Sequence, residues 1–124
     1  MLLIDPLTCL VAAIYFEARG ETPLHQAMVA ETIFNRVESR RYPNTICGVV
    51  KQKDQFTFYW DGKPERVRDN KAWRQSVIMA NHVINNRPKM TKACHYATYK
   101  INNYWTVAYK GQRHGTHIFY EGGC

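Results

Sequence analysis

The chain has 124 residues, of which 45% are hydrophobic and 22% are charged, a composition typical of one globular domain with a single core. Its formal net charge of +7 suits an anionic partner, such as a nucleic acid, a membrane surface or an acidic cell-wall polymer, or serves solubility alone. No apolar run approaches the ~20 residues that a membrane span needs. We expect one domain over residues 1–124, a monomer, without membrane insertion.

Four helices are predicted in chain order. A side chain that can cap a helix N-terminus, followed by apolar residues at helical spacing, marks each start. The predicted caps are Asp5, Thr22, Thr45 and, for the last helix, Asp69 or Asn70. The helices that follow run over residues 6–19, from 23 to a basic turn at 40–44, over 46–52, and over 70–86.

The strands are predicted later in the chain. Residues 55–60, Q-F-T-F-Y-W, have the aromatic and β-branched content of a strand, and residues 61–70 are polar enough to form a loop. A hairpin is predicted from strands at 106–109 and 116–120 around a turn at Lys110–Gly115. Helices first and strands later indicate an α+β fold that is mainly helical.

The cysteines are Cys9, Cys47, Cys94 and Cys124, and no two of them form a C-x-x-C pair. This spacing predicts no metal site, and the five histidines share no metal-ligand spacing either. We expect no metal and no cofactor. For a chain made in the cytoplasm we expect reduced thiols, with disulfides formed after export as the alternative.

Glu17 is the first charged residue after Asp5 and follows the apolar run C-L-V-A-A-I-Y-F (9–16). A helix that is apolar on all sides is usually buried, so a carboxylate at its end should be partly desolvated, with a raised pKa. A general acid at neutral pH requires such a group. The pattern equally allows a structural glutamate, paired with Arg19 or with a nearby N-terminus.

Several sequence strings occur in a fixed order along the chain. They are A-I-Y-F-E-A-R-G-E (13–21), I-F-N-R-V (33–37), R-Y-P-N-T-I-C-G-V-V (41–50), D-Q-F-T-F (54–58), A-C-H-Y-A (93–97) and G-T-H-I-F-Y (115–120). With these strings the chain resembles, over nearly its whole length, the cell-wall hydrolases of the spore-cortex lytic enzyme (SleB) type.

That resemblance implies a lysozyme-like fold with a small β region in the middle and at the C-terminus. It also implies a peptidoglycan substrate, cleaved between N-acetylmuramic acid and N-acetylglucosamine, with Glu17 as the catalytic glutamate. The chain shows the catalytic module without a signal peptide or a wall-binding repeat. It is therefore expected to be a phage endolysin, held in the host cytoplasm until a holin opens the membrane and then acting on the wall from the periplasm.

Two reactions are open for such an enzyme. A lytic transglycosylase needs one acid/base, and forms 1,6-anhydromuramic acid; this is the reaction that the resemblance favours. A muramidase-type hydrolase uses a second carboxylate. The candidates are Glu21, four residues after Glu17, and Glu31 in the second helix. Their structural alternatives are a surface carboxylate for Glu21 and, for Glu31, a buried glutamate paired with Arg36 or another base.

The candidate substrate-binding side chains are amide, imidazole, phenol and indole groups that suit hydrogen bonding to acetamido groups or packing on sugar faces. They are Gln55, Phe56, His95, Tyr96, Tyr104, Trp105 and His117. For the aromatic residues, core packing is the structural alternative. A basic nucleic-acid-binding module or an inactive wall-binding domain is the competing function, but no nucleic-acid-binding motif occurs. We therefore expect peptidoglycan, and not nucleic acid, as the partner.

Overall fold

The computed structural model describes residues 5–52, 67–100 and 109–124, and four helices lie in this part of the chain. They are α1 (Pro6–Ala18), α2 (Pro23–Val37), α3 (Ile46–Val50) and α4 (Asn70–Asn86). Each begins after its predicted cap, whose side chain accepts a hydrogen bond from a backbone N–H three residues further on. The predicted helix starts are confirmed, and α1 and α3 end one or two residues earlier than predicted.

Helix α1 is the centre of the fold. Every side chain from Cys9 to Tyr15 is buried, and α2, α3 and α4 all pack against it. A helix surrounded in this way has no face in water, which explains why its sequence is apolar on all sides. Glu17 therefore lies in the last turn of a buried helix, as the sequence predicts.

Three antiparallel strands form a sheet in the order β1-β3-β2, with β1 at His95–Thr98, β2 at Lys110–His114 and β3 at His117–Glu121. The predicted strand at 116–120 is confirmed as β3. The turn predicted at Lys110–Gly115 is wrong, because five of these residues form β2 and only Gly115 and Thr116 make the turn. Strand β2 is an exposed edge strand and needs no apolar face, so its polar sequence did not indicate a strand.

Strand β1 was not predicted from the sequence, and the predicted strands at 55–60 and 106–109 lie wholly or mostly outside the described residues. The mainly helical α+β prediction is confirmed by the described elements. None of the helices in the described ranges combines the length and the apolar character needed to cross a membrane.

The sheet packs on the helices through a small apolar cluster. Its buried members are Ala18, Met28, Val29, Ala93 and Phe119, with Tyr96 packed against them. This cluster brings the end of α1 next to β1 and β3, and so places Glu17 at the junction of helices and sheet.

Two disulfides link Cys9 to Cys47 and Cys94 to Cys124. The expectation of reduced thiols is therefore wrong. The Cα atoms of the two pairs lie 5.4 and 5.7 Å apart, the usual separation for a bridge. The first bridge joins α1 to α3, and the second ties the start of β1 to the C-terminal residues.

Candidate active site

Glu17 has the acidity that a proton donor at neutral pH requires. Its side chain is half-buried, and burial raises the pKa of its carboxyl to about 7, while a hydrogen bond from Tyr96 opposes this rise in part. Near pH 7 the protonated and the ionised forms are both populated. The group can therefore give a proton in one step and take one in the next.

Tyr96 is the partner of Glu17 from the sheet side. Its ring packs against those of His117 and Phe119, at centroid distances of 4.8 and 5.3 Å, and its hydroxyl interacts with the Glu17 carboxyl and lowers the pKa of that group. Burial, and next the charge of Glu17, raise the pKa of the phenol well above its usual value of 10. Tyr96 thus stays a hydrogen-bond donor at every pH at which the protein would act.

A buried pair of histidines lies behind Tyr96. The Nε2 atom of His25, in the first turn of α2, is 2.7 Å from Nδ1 of His117 in β3. Burial lowers the pKa of His25 and, together with the neighbouring His25 ring, lowers the pKa of His117 to about 4. Both rings are therefore neutral near pH 7, and a single hydrogen bond joins the facing nitrogens.

Glu21 does not continue the helix face of Glu17. Helix α1 ends at Ala18, and Gly20 turns the chain with a φ of 82°. The Oε2 atom of Glu21 lies 3.4 Å from Nδ1 of His25, and its Oε1 accepts a hydrogen bond of 2.9 Å from the Thr116 hydroxyl. Glu21 thus connects the corner between α1 and α2 with the turn between β2 and β3.

Glu31 is buried and bound to the backbone of the segment that precedes β1. Its Oε1 accepts hydrogen bonds from the N–H groups of Met90 and Thr91, and burial raises its pKa. The side chain of Asn35, one turn further along α2, donates to the carbonyls of Thr91 and Ala93. These contacts fix the path of the chain into β1.

His95 faces away from its neighbour Tyr96, as consecutive residues of a strand do. Its Nε2 lies 3.2 Å from the Tyr42 hydroxyl, and its ring stacks on Tyr109 at 6.0 Å. Burial lowers its pKa. The structure therefore brings Glu17, Tyr96 and His117 together and places His95 in a separate aromatic group.

The remaining predicted binding residues, Gln55, Phe56, Tyr104 and Trp105, lie outside the described residues, and their roles stay predictions. Sequence reasoning missed His25 as a member of the site. It is 92 residues from His117, so no local spacing links them; the only signal was a histidine among the apolar residues of α2. Within the described ranges, no group of His, Cys, Asp or Glu side chains is arranged to hold a metal ion.

A family model described as cell wall hydrolase matches residues 20–120. The chain belongs to the cell wall hydrolase family. Because the match begins after Glu17, the assignment of that residue depends on its position and surroundings in the fold.

Solved structures extend the comparison to the whole fold. The catalytic domain of the germination-specific lytic transglycosylase SleB from Bacillus anthracis is 30% identical, with a TM-score of 0.74, over 94% of this chain and 93% of that domain. The SleB catalytic domain from Bacillus cereus gives the same identity and TM-score, over 94% of this chain and 89% of that one. The expected lysozyme-like fold of the SleB type is thereby confirmed.

Curated relatives match over shorter segments. A spore cortex-lytic enzyme of Bacillus cereus is 47% identical over 51 residues, which are 41% of this chain and 20% of that protein. The corresponding enzyme of Bacillus subtilis is 34% identical over 76 residues, 61% of this chain and 25% of that protein. The matched segments thus span a quarter or less of the length of these relatives.

Proposed function

We propose that this chain is a lytic transglycosylase that cleaves peptidoglycan, with Glu17 as its single general acid/base. The observation that carries the proposal is a half-buried carboxyl with a pKa of about 7, held by a tyrosine in the fold of the SleB catalytic domain. The family, cell wall hydrolase, and the similar lytic transglycosylase SleB support the same substrate and reaction.

The reaction follows from the two forms of Glu17. The protonated carboxyl gives its proton to the glycosidic oxygen as the bond from that oxygen to C1 of N-acetylmuramic acid breaks. The resulting carboxylate then takes the proton of the C6 hydroxyl, and O6 bonds to C1 to close the 1,6-anhydro ring. Glu17 ends protonated again and no water is consumed. The Tyr96 hydroxyl orients the carboxyl during both transfers.

The other two carboxylates support a mechanism with one acid. A hydrolase of the two-carboxylate type needs a second carboxylate that is open to the sugar or to the attacking water. Both oxygens of Glu21 contact other side chains, and Glu31 is buried and bound to backbone N–H groups. We therefore favour ring closure over hydrolysis.

The two disulfides support action on the outer side of the cell membrane. Disulfides persist in oxidising compartments such as the periplasm and are rare in the cytosol. We propose that the chain works there, on the wall. Its origin as a phage endolysin and its release through a holin stay predictions, as does the monomeric state.

Digestion of purified sacculi tests the proposal. The wild type should release muropeptides that end in 1,6-anhydromuramic acid, identified by mass, and Glu17→Gln should release none. Glu38→Gln is the matched control, because the Glu38 side chain is 59% exposed in an ion pair with Arg87 and should leave activity unchanged.

Three outcomes would contradict the proposal. Products one water heavier would mean hydrolysis with the same acid. Equal release by the wild type and Glu17→Gln would remove Glu17 from the mechanism. If neither protein releases product but the wild type sediments with sacculi, the chain is a wall-binding module.

A further inference from the structure

A group of four polar side chains bridges the helices and the sheet beside Glu17. We call it the Glu21 cluster; its members are Glu21, His25, Thr116 and His117. Glu21 and His25 come from the helical side of the junction, and Thr116 and His117 come from the sheet. The proposed chemistry needs Glu17 from the helices and Tyr96 from the sheet, so whatever sets the junction also sets the catalytic geometry.

The charge of Glu21 orients the histidine pair. A carboxylate 3.4 Å from Nδ1 of His25 favours the tautomer with a proton on that nitrogen. The Nε2 of His25 is then an acceptor, so Nδ1 of His117, 2.7 Å away, must donate to it. One carboxylate thereby determines the tautomers of both rings.

A chain of contacts leads from His117 through Tyr96 to the carboxyl of Glu17. The rings of His117 and Tyr96 pack at a centroid distance of 4.8 Å, and the Tyr96 hydroxyl interacts with the Glu17 carboxyl. A change in the position of His117 therefore moves the phenol that orients the acid.

The second carboxylate oxygen of Glu21 binds the turn between β2 and β3. Its Oε1 accepts from the Thr116 hydroxyl, and the Thr116 carbonyl accepts from the N–H of Tyr99, just after β1. Gly115 has a φ of 57°, and a Cβ there would collide with Oε2 of Glu21 and lie 3.0 Å from Nδ1 of His25. The turn is thus shaped to let the carboxylate reach the histidine.

We propose that Glu21 is a positioning residue for the transglycosylase reaction: through the His25–His117 pair and Thr116 it fixes the sheet edge that carries Tyr96, and so the alignment and desolvation of Glu17. This inference rests on the proposed function. It assigns Glu21 no contact with the sugar, which separates it from the second-carboxylate hypothesis.

The charged and titratable neighbours of this cluster are few among the described residues. His114 on β2 contributes to lowering the pKa of His25, and the charge of Arg36 on α2 opposes the rise in the pKa of Tyr96. The pH dependence of Glu17 itself is set first by burial and then by Tyr96. Loosening the junction should admit water to Glu17 and lower its pKa towards 4.5, because burial is the larger cause and outweighs the rise that displacement of Tyr96 alone would give.

The test compares Glu21→Gln with Thr116→Val. The first removes the charge that orients the histidines, and the second removes one hydrogen bond while leaving every charge in place. We expect turnover of sacculi to fall about 10–100-fold for Glu21→Gln, and less for Thr116→Val, since misplacement by about 1 Å can cost a hundredfold. Sedimentation with sacculi should not change, and Glu38→Gln should match the wild type in both assays.

Two NMR measurements separate positioning from other roles. Nitrogen shifts of the imidazoles should show the predicted tautomers in the wild type and their loss in Glu21→Gln. Carbon-detected titration of Glu17 should show a lower pKa in both variants, and in Thr116→Val a change of charge cannot be the cause. The basic limb of the pH–rate profile should move to lower pH in parallel.

Each outcome bears on the proposal. If the histidine tautomers and the Glu17 titration are both unchanged in Glu21→Gln, the proposal is overturned. If turnover is lost while the Glu17 titration is unchanged, the proposal is also overturned, because Glu21 would then act directly on the substrate. If Glu21→Gln does not fold, Thr116→Val decides by the same criteria. If the wild type releases no muropeptides, the proposed function fails, and the NMR titrations alone decide whether Glu21 positions Glu17.

Discussion

Replacing Glu17 with glutamine should stabilise the protein at high pH and leave its stability at low pH nearly unchanged. A carboxyl with a raised pKa in the folded state stabilises the fold fully below its unfolded pKa, and this contribution is lost as the pH rises through the folded pKa. For Glu17 the window runs from 4.5 to about 7. Above it, the folded protein must hold a desolvated charge that glutamine lacks.

The magnitude follows from the two pKa values. One pKa unit corresponds to about 1.4 kcal/mol, so the step from 4.5 to about 7 is worth about 3 kcal/mol in full. Because Glu17 is only half-buried and water screens its charge, we expect about 2 kcal/mol at pH 8. For a domain of this size that is a rise of roughly 5–10 °C in Tm.

Equilibrium unfolding in guanidinium chloride, without reductant, measures this difference at pH 4 and pH 8 for the wild type and Glu17→Gln. Other titrating groups are present in both proteins and cancel in the difference. Glu38→Gln makes the same change of charge at an exposed position and should show no such growth with pH. An equal effect of Glu17→Gln at both pH values would refute the argument that burial raises the pKa of Glu17.

Three further predictions concern the surroundings of the site. Tyr96→Phe removes a hydrogen bond that lowers the pKa of Glu17, so the basic limb of the pH–rate profile should move to higher pH while the maximal rate falls; an unmoved limb would contradict the contact. Gly115→Ala should cost about 1–3 kcal/mol in thermal unfolding, and more than Gly20→Ala, which also has a positive φ but open space around its Cβ; equal costs would argue against the tight turn. Replacing both Cys94 and Cys124 with alanine should lower the unfolding free energy by about 3–4 kcal/mol in guanidinium titrations. An unchanged midpoint would mean that this bridge does not constrain the unfolded chain.

The helices and the desolvated carboxyl of Glu17 could be predicted because they depend on neighbours in the chain. Asp5 and Thr22 cap helices by accepting a hydrogen bond from an N–H three residues away, and the 3.6-residue period shows which faces are apolar. A helix with no polar face has to be buried, so the position of Glu17 at its end already implied desolvation.

The rest of the site depends on contacts between residues far apart in the chain, and only the tertiary structure decided it. The spacing of Glu21 after Glu17 allowed a shared helix face, but the helix ends at Ala18 and the chain turns at Gly20. Strand β2 shows no apolar pattern, because an edge strand is held by backbone pairing with β3. The pairing of His25 with His117, 92 residues away, arises where the sheet packs on α2, and no sequence period extends over that distance.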